Sequence, residues 1–217
     1  MKCWLSTEMT ARIWSGLRSF TSLNQLTISD SSLSFPPSTP ELPSVTKLSS
    51  ESVTSQSYEG LLSSLPGLTN IDITIDDAER DIPQITAGLR RIGRQQLTHI
   101  KITTPTSFLS ISGKKSVSRA TFRGLGLLIR TQTKNLQQLH LSWVKCTDEE
   151  DLVHLIKCCR HVKTLKEMWL HKCGTRKSGR LNSHLTGLHT SHDDGLSVWV
   201  NHDNGGGRTC VLSHFSH

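Results

Sequence analysis

The sequence predicts an α/β fold of stacked repeats, a short solenoid in which parallel strands line a concave sheet and helices cover the convex outside. Two observations carry this. An apolar pattern, L-x-x-L-x-L, recurs along the chain, and after a copy the apolar spacing changes from every second residue to every third or fourth. The stretch NLQQLHLSWVKCTDEEDLVHLIKCC, Asn135 to Cys159, holds both halves in one run. Leu139 and Leu141 share one face of a strand, and His140 points to the other. Thr147-Asp-Glu-Glu150 then reads as a capping box at a helix start, its acids favoured by the positive end of the helix. Leu152, Leu155, Ile156 and Cys159 follow as one helical stripe. A lone strand–turn–helix unit cannot bury both apolar faces, so the unit must recur.

Five stretches match the template: Leu23-x-x-Leu26-x-Ile28, Leu68-x-x-Ile71-x-Ile73, Leu97-x-x-Ile100-x-Ile102, Leu136-x-x-Leu139-x-Leu141 and Leu165-x-x-Met168-x-Leu170. Val45-x-x-Leu48-x-Ser50 is a degraded sixth. First positions lie 22, 23, 29, 39 and 29 residues apart. The 39-residue gap carries a polar insertion, Thr103 to Ser116, expected as a rim loop, followed by a helix reading Val117, Thr121, Leu125 and Leu128. Tyr58, Leu61, Leu62 and Leu65 predict a short helix. Ile82, Ile85, Leu89 and Ile92 predict a longer one, with Pro83 in its first turn, where a missing N–H does no harm. Pro36, Pro37, Pro40 and Pro43 make the first return extended rather than helical. The competing reading is a generic α/β domain whose periodicity is accidental.

Register then gives the outward strand positions, the usual binding surface of stacked repeats. They are Gln25, Thr27 and Ser29; Lys47, Ser49 and Glu51; Asn70, Asp72 and Thr74; His99, Lys101 and Thr103; Gln138, His140 and Ser142; Glu167, Trp169 and His171. Trp169 breaks the polar pattern, as an aromatic anchor for a partner would. Its other reading is packing beneath the chain that follows. The candidate ligand-binding residues are His99, Lys101, Gln138, His140, Glu167, Trp169 and His171, and with His99, Lys101 and His140 in the stack a partner bearing an acidic group suits this end.

Composition narrows the function classes. The 217 residues suffice for one core, and no window approaches a membrane span of about 18 apolar residues or a secretory leader, so a cytoplasmic location is the default and no membrane partner is expected. Six scattered cysteines predict reduced, packed thiols. The net charge of +7 is uneven: eleven Lys or Arg and no acid lie between Ile82 and Thr147. Arg90, Arg91, Arg94, Arg119, Arg123 and Arg130 fall mostly on predicted outer helices, where charge is simply solvated. The rival reading makes this 82–147 region an electrostatic binder of anionic ligands or nucleic acid. Ser112-Gly-Lys-Lys-Ser116 is no phosphate loop, since Phe108 stands where the first glycine is needed. The carboxylates from Asp148 to Asp151 are explained by helix capping, and His154 and His161 lack zinc-helix spacing. His184, His189 and His192 have neither helix spacing nor a Cys partner. No enzymatic role, metal or cofactor is expected.

These repeats resemble the leucine-rich repeat family, in the helical-convex form of ribonuclease inhibitor and of the sensor region of NLR-type innate immune receptors. LPGLTNIDITIDDAERDIPQITAGLRR and the Asn135–Cys159 stretch look like divergent repeats of invertebrate NLR-like proteins. The resemblance implies a ribonuclease-inhibitor-like horseshoe that binds protein or another ligand on its concave face, with nucleic acid the lesser candidate. The family's ninth-position Asn or Cys is present only as Cys173, with Val144, Asp76 and Ser31 elsewhere. Residues 21–174 are the repeat domain of about six units. Residues 1–20, with Trp4, Ile13, Trp14, Leu17 and Phe20, are the helical half of an upstream repeat, as in a fragment of a receptor. Residues 175–217 lose the template and read as a disordered tail, in the manner of translated intron or frame-shifted sequence; on that view the chain is a non-functional gene-model fragment.

Overall fold

A computed structural model describes residues 7–29, 35, 39–51, 58–91, 96–105, 116–132, 135–171, 173, 196–201 and 210–212. All six template stretches are strands: β1 Gln25–Ile28, β2 Lys47–Glu51, β3 Asn70–Thr74, β4 His99–Thr103, β5 Gln138–Ser142 and β6 Glu167–His171. They pair in chain order, parallel and in template register, so that Leu26, Leu48, Ile71, Ile100, Leu139 and Met168 form one row. Among the described residues five helices accompany them: α1 Thr7–Leu17, α2 Tyr58–Ser63, α3 Ala78–Arg91, α4 Arg119–Gln132 and α5 Glu149–Cys159. Helices α2 to α5 pack each on the next, and their inward residues join the strand rows in one apolar core. The opposite sheet face carries the half-buried alternate positions. The architecture is therefore a repeat-like parallel α/β stack.

A hydrogen-bond ladder ties each repeat to the one before. The residue after the first template position offers its carbonyl to two backbone N–H groups of the next repeat: Asn24 to Thr46 and Lys47, Thr46 to Thr69 and Asn70, Thr69 to Thr98 and His99. Thr98 does the same for Gln137 and Gln138, and Gln137 for Lys166 and Glu167. Where that next residue is threonine, its hydroxyl donates to the same carbonyl, at 3.1 Å from Thr46, 3.0 Å from Thr69 and 3.2 Å from Thr98. Each of these carbonyls thus takes two backbone donors, and three where a threonine hydroxyl joins them. Gly67, in the turn before β3, has no room for a Cβ against the Pro43 carbonyl.

Four expectations are corrected. The α5 cap is Asp148, extended at φ −134 and ψ 144, whose carboxylate accepts from Glu150 N–H; the Thr147 hydroxyl donates instead to the Val117 carbonyl. Helix α3 begins earlier than its apolar stripe, because the Asp77 carboxylate accepts from Glu79 N–H and Arg80 N–H. Pro83 is thus the sixth helical residue, tolerated with its ring facing solvent. Val117 precedes α4 and bridges Cys146 as a lone parallel pair. Most substantially, the span 175–217 is not a wholly unstructured tail: β7 Ser197–Asn201 adds a seventh parallel strand, and β8 Cys210–Leu212 returns antiparallel to it. Leu196 and Val198 alternate into the core, but Gly195 stands at the first template position, so the motif does not register there. The insertion residues 106–115, which include Ser112 to Lys115, and the His184, His189 and His192 cluster lie outside the described residues.

The degraded repeat leaves a defect. Ser50 lies in register between Ile28 and Ile73, is only 1% exposed, and its hydroxyl has no hydrogen-bond partner. A buried unpaired hydroxyl costs about 1–3 kcal/mol. Ser50→Val should therefore stabilise the chain by about 1 kcal/mol, raising Tm by about 3 °C in a thermal melt. A fall in Tm would mean the site has no room for the added methyl groups.

Candidate functional site

The three strands β4, β5 and β6 carry the predicted residues on one open face, in three rows. His99, Gln138 and Glu167 are aligned across the strand starts, Lys101, His140 and Trp169 across the middle, and Thr103, Ser142 and His171 across the ends. Period-two alternation puts them there: the residues between them, Ile100, Ile102, Leu139, Leu141, Met168 and Leu170, are all buried. The sheet brings all seven candidates together.

The middle row holds two side-chain pairs. Lys101 Nζ donates to Asp72 Oδ2 of β3 at 2.8 Å. One strand on, the His140 ring stacks on the Trp169 indole, with centroids 5.8 Å apart and planes 30° apart. Trp169 keeps 38% of its surface exposed. Backbone register continues this row to Trp199 on β7. In the first row Asn70 Nδ2 lies 2.9 Å from His99 Nδ1, which Oγ1 of the preceding residue, Thr98, approaches at 2.7 Å. Ser142 departs from expectation: it is buried at the sheet margin, its hydroxyl 2.9 Å from His140 Nε2.

Trp143, next after β5, has a left-handed φ of 62°, and its ring meets His171 edge-on at 5.7 Å. A side chain in that backbone region costs about 1–2 kcal/mol, so the surrounding contacts hold it there. Its N–H donates to the His171 carbonyl, and its carbonyl accepts from the Thr104 hydroxyl. Trp143 and Asp72 adjoin the seven candidates; Asp72 was read as an outward strand position but not as a candidate, and Trp143 was neither. The signals were present, since Asp72 is the register neighbour of Lys101 and Trp143 follows an outward strand end.

Burial, and then the nearby Lys101 ammonium, lower the His140 pKa below the ordinary imidazole value; the His171 charge acts in the same direction and Asp72 opposes it. The folded pKa being depressed, this group's stabilisation is present above about pH 6.5 and is lost as pH falls through the folded value. His140→Phe should keep the ring stack and flatten the Tm dependence as pH falls below about 6.5. Equal slopes for the two chains would remove His140 from that dependence.

The four cysteines whose side chains are described are core groups. Cys146, Cys158, Cys159 and Cys173 are free and buried, and burial raises the Cys146 thiol to about 11 and pushes Cys159 and Cys173 higher still. Cys173 fills the ninth template position, its thiol donating to the Leu141 carbonyl at 3.2 Å. Among the described residues no three His, Cys, Asp or Glu groups converge as a metal site. Nor is any helix there long and apolar enough to cross a membrane.

The basic block lies on α3 and α4 as read, with Arg90, Arg91, Arg119, Arg123 and Arg130 exposed; Arg94 lies outside the described residues. Two of these arginines are engaged by acids. Arg91 meets Glu59 at 2.6 Å, and Arg119 meets Asp148 at 3.0 Å and Asp151 at 3.1 Å. No protein-family model matches the chain, and no curated protein is significantly similar to it.

Proposed function

We propose that the chain is a leucine-rich repeat solenoid that binds a protein partner, or another ligand, through the open face of its sheet, as a non-catalytic module. The reading takes the open face as the concave side of a ribonuclease-inhibitor-like horseshoe. It is supported by strands that recur in one register at intervals of 22 to 39 residues and by the alternation of core and outward positions along them. The observation that carries the binding role is the middle row, in which a half-exposed tryptophan stacked on a histidine adjoins a lysine. Indole surface of this kind anchors protein interfaces, and the lysine selects an acidic neighbour. The two stretches that look like NLR-type repeats make a cytoplasmic innate immune sensor the family context of choice.

Random-peptide display on the purified chain at about 0.15 M salt tests this. Enriched peptides should pair an apolar or aromatic residue with Asp or Glu, and should lose binding to Trp169→Ala. Peptides that bind that variant and the parent chain equally would remove the middle row as the site.

A further inference from the structure

Charge is sorted along the helices. Around the starts of α3 and α5 stand Asp76, Asp77, Glu79 and Asp81, then Asp148, Glu149, Glu150 and Asp151, with Arg80 as the one cation in those two runs. The other ends are the reverse. Residues 88–91, 96–98, 128–132, 135–137 and 157–166 are the last turns of α3, α4 and α5 and the described chain leading to the next strands; they hold seven Lys or Arg and no Asp or Glu. Cations in a last turn complement the helix dipole, which accounts for Arg90, Arg91, Arg130 and Lys157. It does not account for Lys163 and Lys166, exposed in the turn beyond α5.

Because α3 packs on α4 and α4 on α5, while the strands they feed are in register, these ends fall along one line. Neighbouring ends are about 10 Å apart. Burial raises the Cys158 thiol on α5, and the charge of Arg130 on α4 is near enough to oppose that rise. Exposed Gln96, Asn135 and Gln137 stand between the cations as amide donors. The nearest acids are Glu59, which meets Arg91, and Glu167 at the start of β6.

We propose that this edge is a second binding surface, and that it takes the phosphate backbone of a double-stranded nucleic acid. A protein partner would call for a large apolar or aromatic centre. Among the described residues the runs above expose no Trp, Tyr or Phe, and the nearest large apolar side chain is Leu127, 48% exposed one turn before Arg130. Cations interspersed with amide donors match what phosphate and sugar oxygens accept. A single strand would need rings on which bases stack, so the duplex is favoured. Two steps of about 10 Å span about six base pairs, enough for about five phosphate contacts. Binding is then blind to base sequence, and log K falls against log salt with a slope of about −4.5, about a 500-fold loss from 50 to 200 mM.

The test is fluorescence anisotropy of a labelled DNA duplex of about 20 base pairs across that salt range. Changing Lys157, Lys163 and Lys166 together to Gln should bring the slope to about −2, while changing all three to Arg should preserve it. Trp169→Ala should leave it unchanged, so that failure here and failure of the sheet-face reading are told apart. An unchanged slope in the Gln variant, its loss in the Arg variant, or binding of polyglutamate in preference to the duplex would each overturn the proposal. The last outcome would assign the edge to an acidic protein instead.

Discussion

Leu139→Ala is expected to lower the unfolding free energy by about 3–5 kcal/mol. Leu139 is fully buried on β5, with Ile100 and Met168 on either side in the same row and the helix-lined core beneath. Truncation removes the transfer energy of three carbons and leaves a cavity that two flanking strands cannot close without losing their own register. In a stack where each repeat touches only its neighbours, weakening the central rung also weakens the interfaces on both sides. Urea unfolding would read the loss, and Tm should fall by roughly 10 °C. Gln138→Ala, one residue away and outward, should stay well under 1 kcal/mol. A small effect at Leu139 with a large one at Gln138 would mean that the faces of β5 are reversed.

Trp169→Ala should weaken partner binding by about 2 kcal/mol or more, roughly 30-fold, with little change in stability. The indole is 38% exposed, and its contact with His140 lies on the open face rather than in the core. Removal therefore takes away contact area and frees the imidazole, while the Met168 and Leu170 packing is untouched. Isothermal titration of a display-selected peptide would measure the loss, and unchanged circular dichroism would assign it to the interface. Retained affinity in the variant would place the anchor elsewhere.

The strands and their two faces were legible because alternation at period two is a local property, and six copies of it in one register admit little else. Ser50 was legible as a defect for the same reason. The strand at Ser197–Asn201 was not, because Gly195 replaces the first apolar position and the rest of the pattern is too short to stand alone. The threonine ladder was written in Thr46, Thr69 and Thr98, at one template position in three successive repeats, but a search for apolar spacing passes over hydroxyls. Contacts between helix starts, such as Ser118 N–H donating to Glu79 at 2.6 Å or Arg119 reaching Asp148, depend on how the helices are rotated against each other, which no single repeat specifies. The left-handed Trp143 runs against residue preference altogether, so propensity would have denied it.

The alternation along each strand has a consequence for how such a chain can change over time. Ile100 and Ile102 answer to the fold, whereas His99 and Lys101 answer to whatever meets the open face. A mutation at an outward position alters recognition with little penalty to folding, and a mutation at an inward one does the opposite. Selection on the two properties therefore acts on separate residues. Such a lineage can explore new partners quickly without first acquiring spare stability.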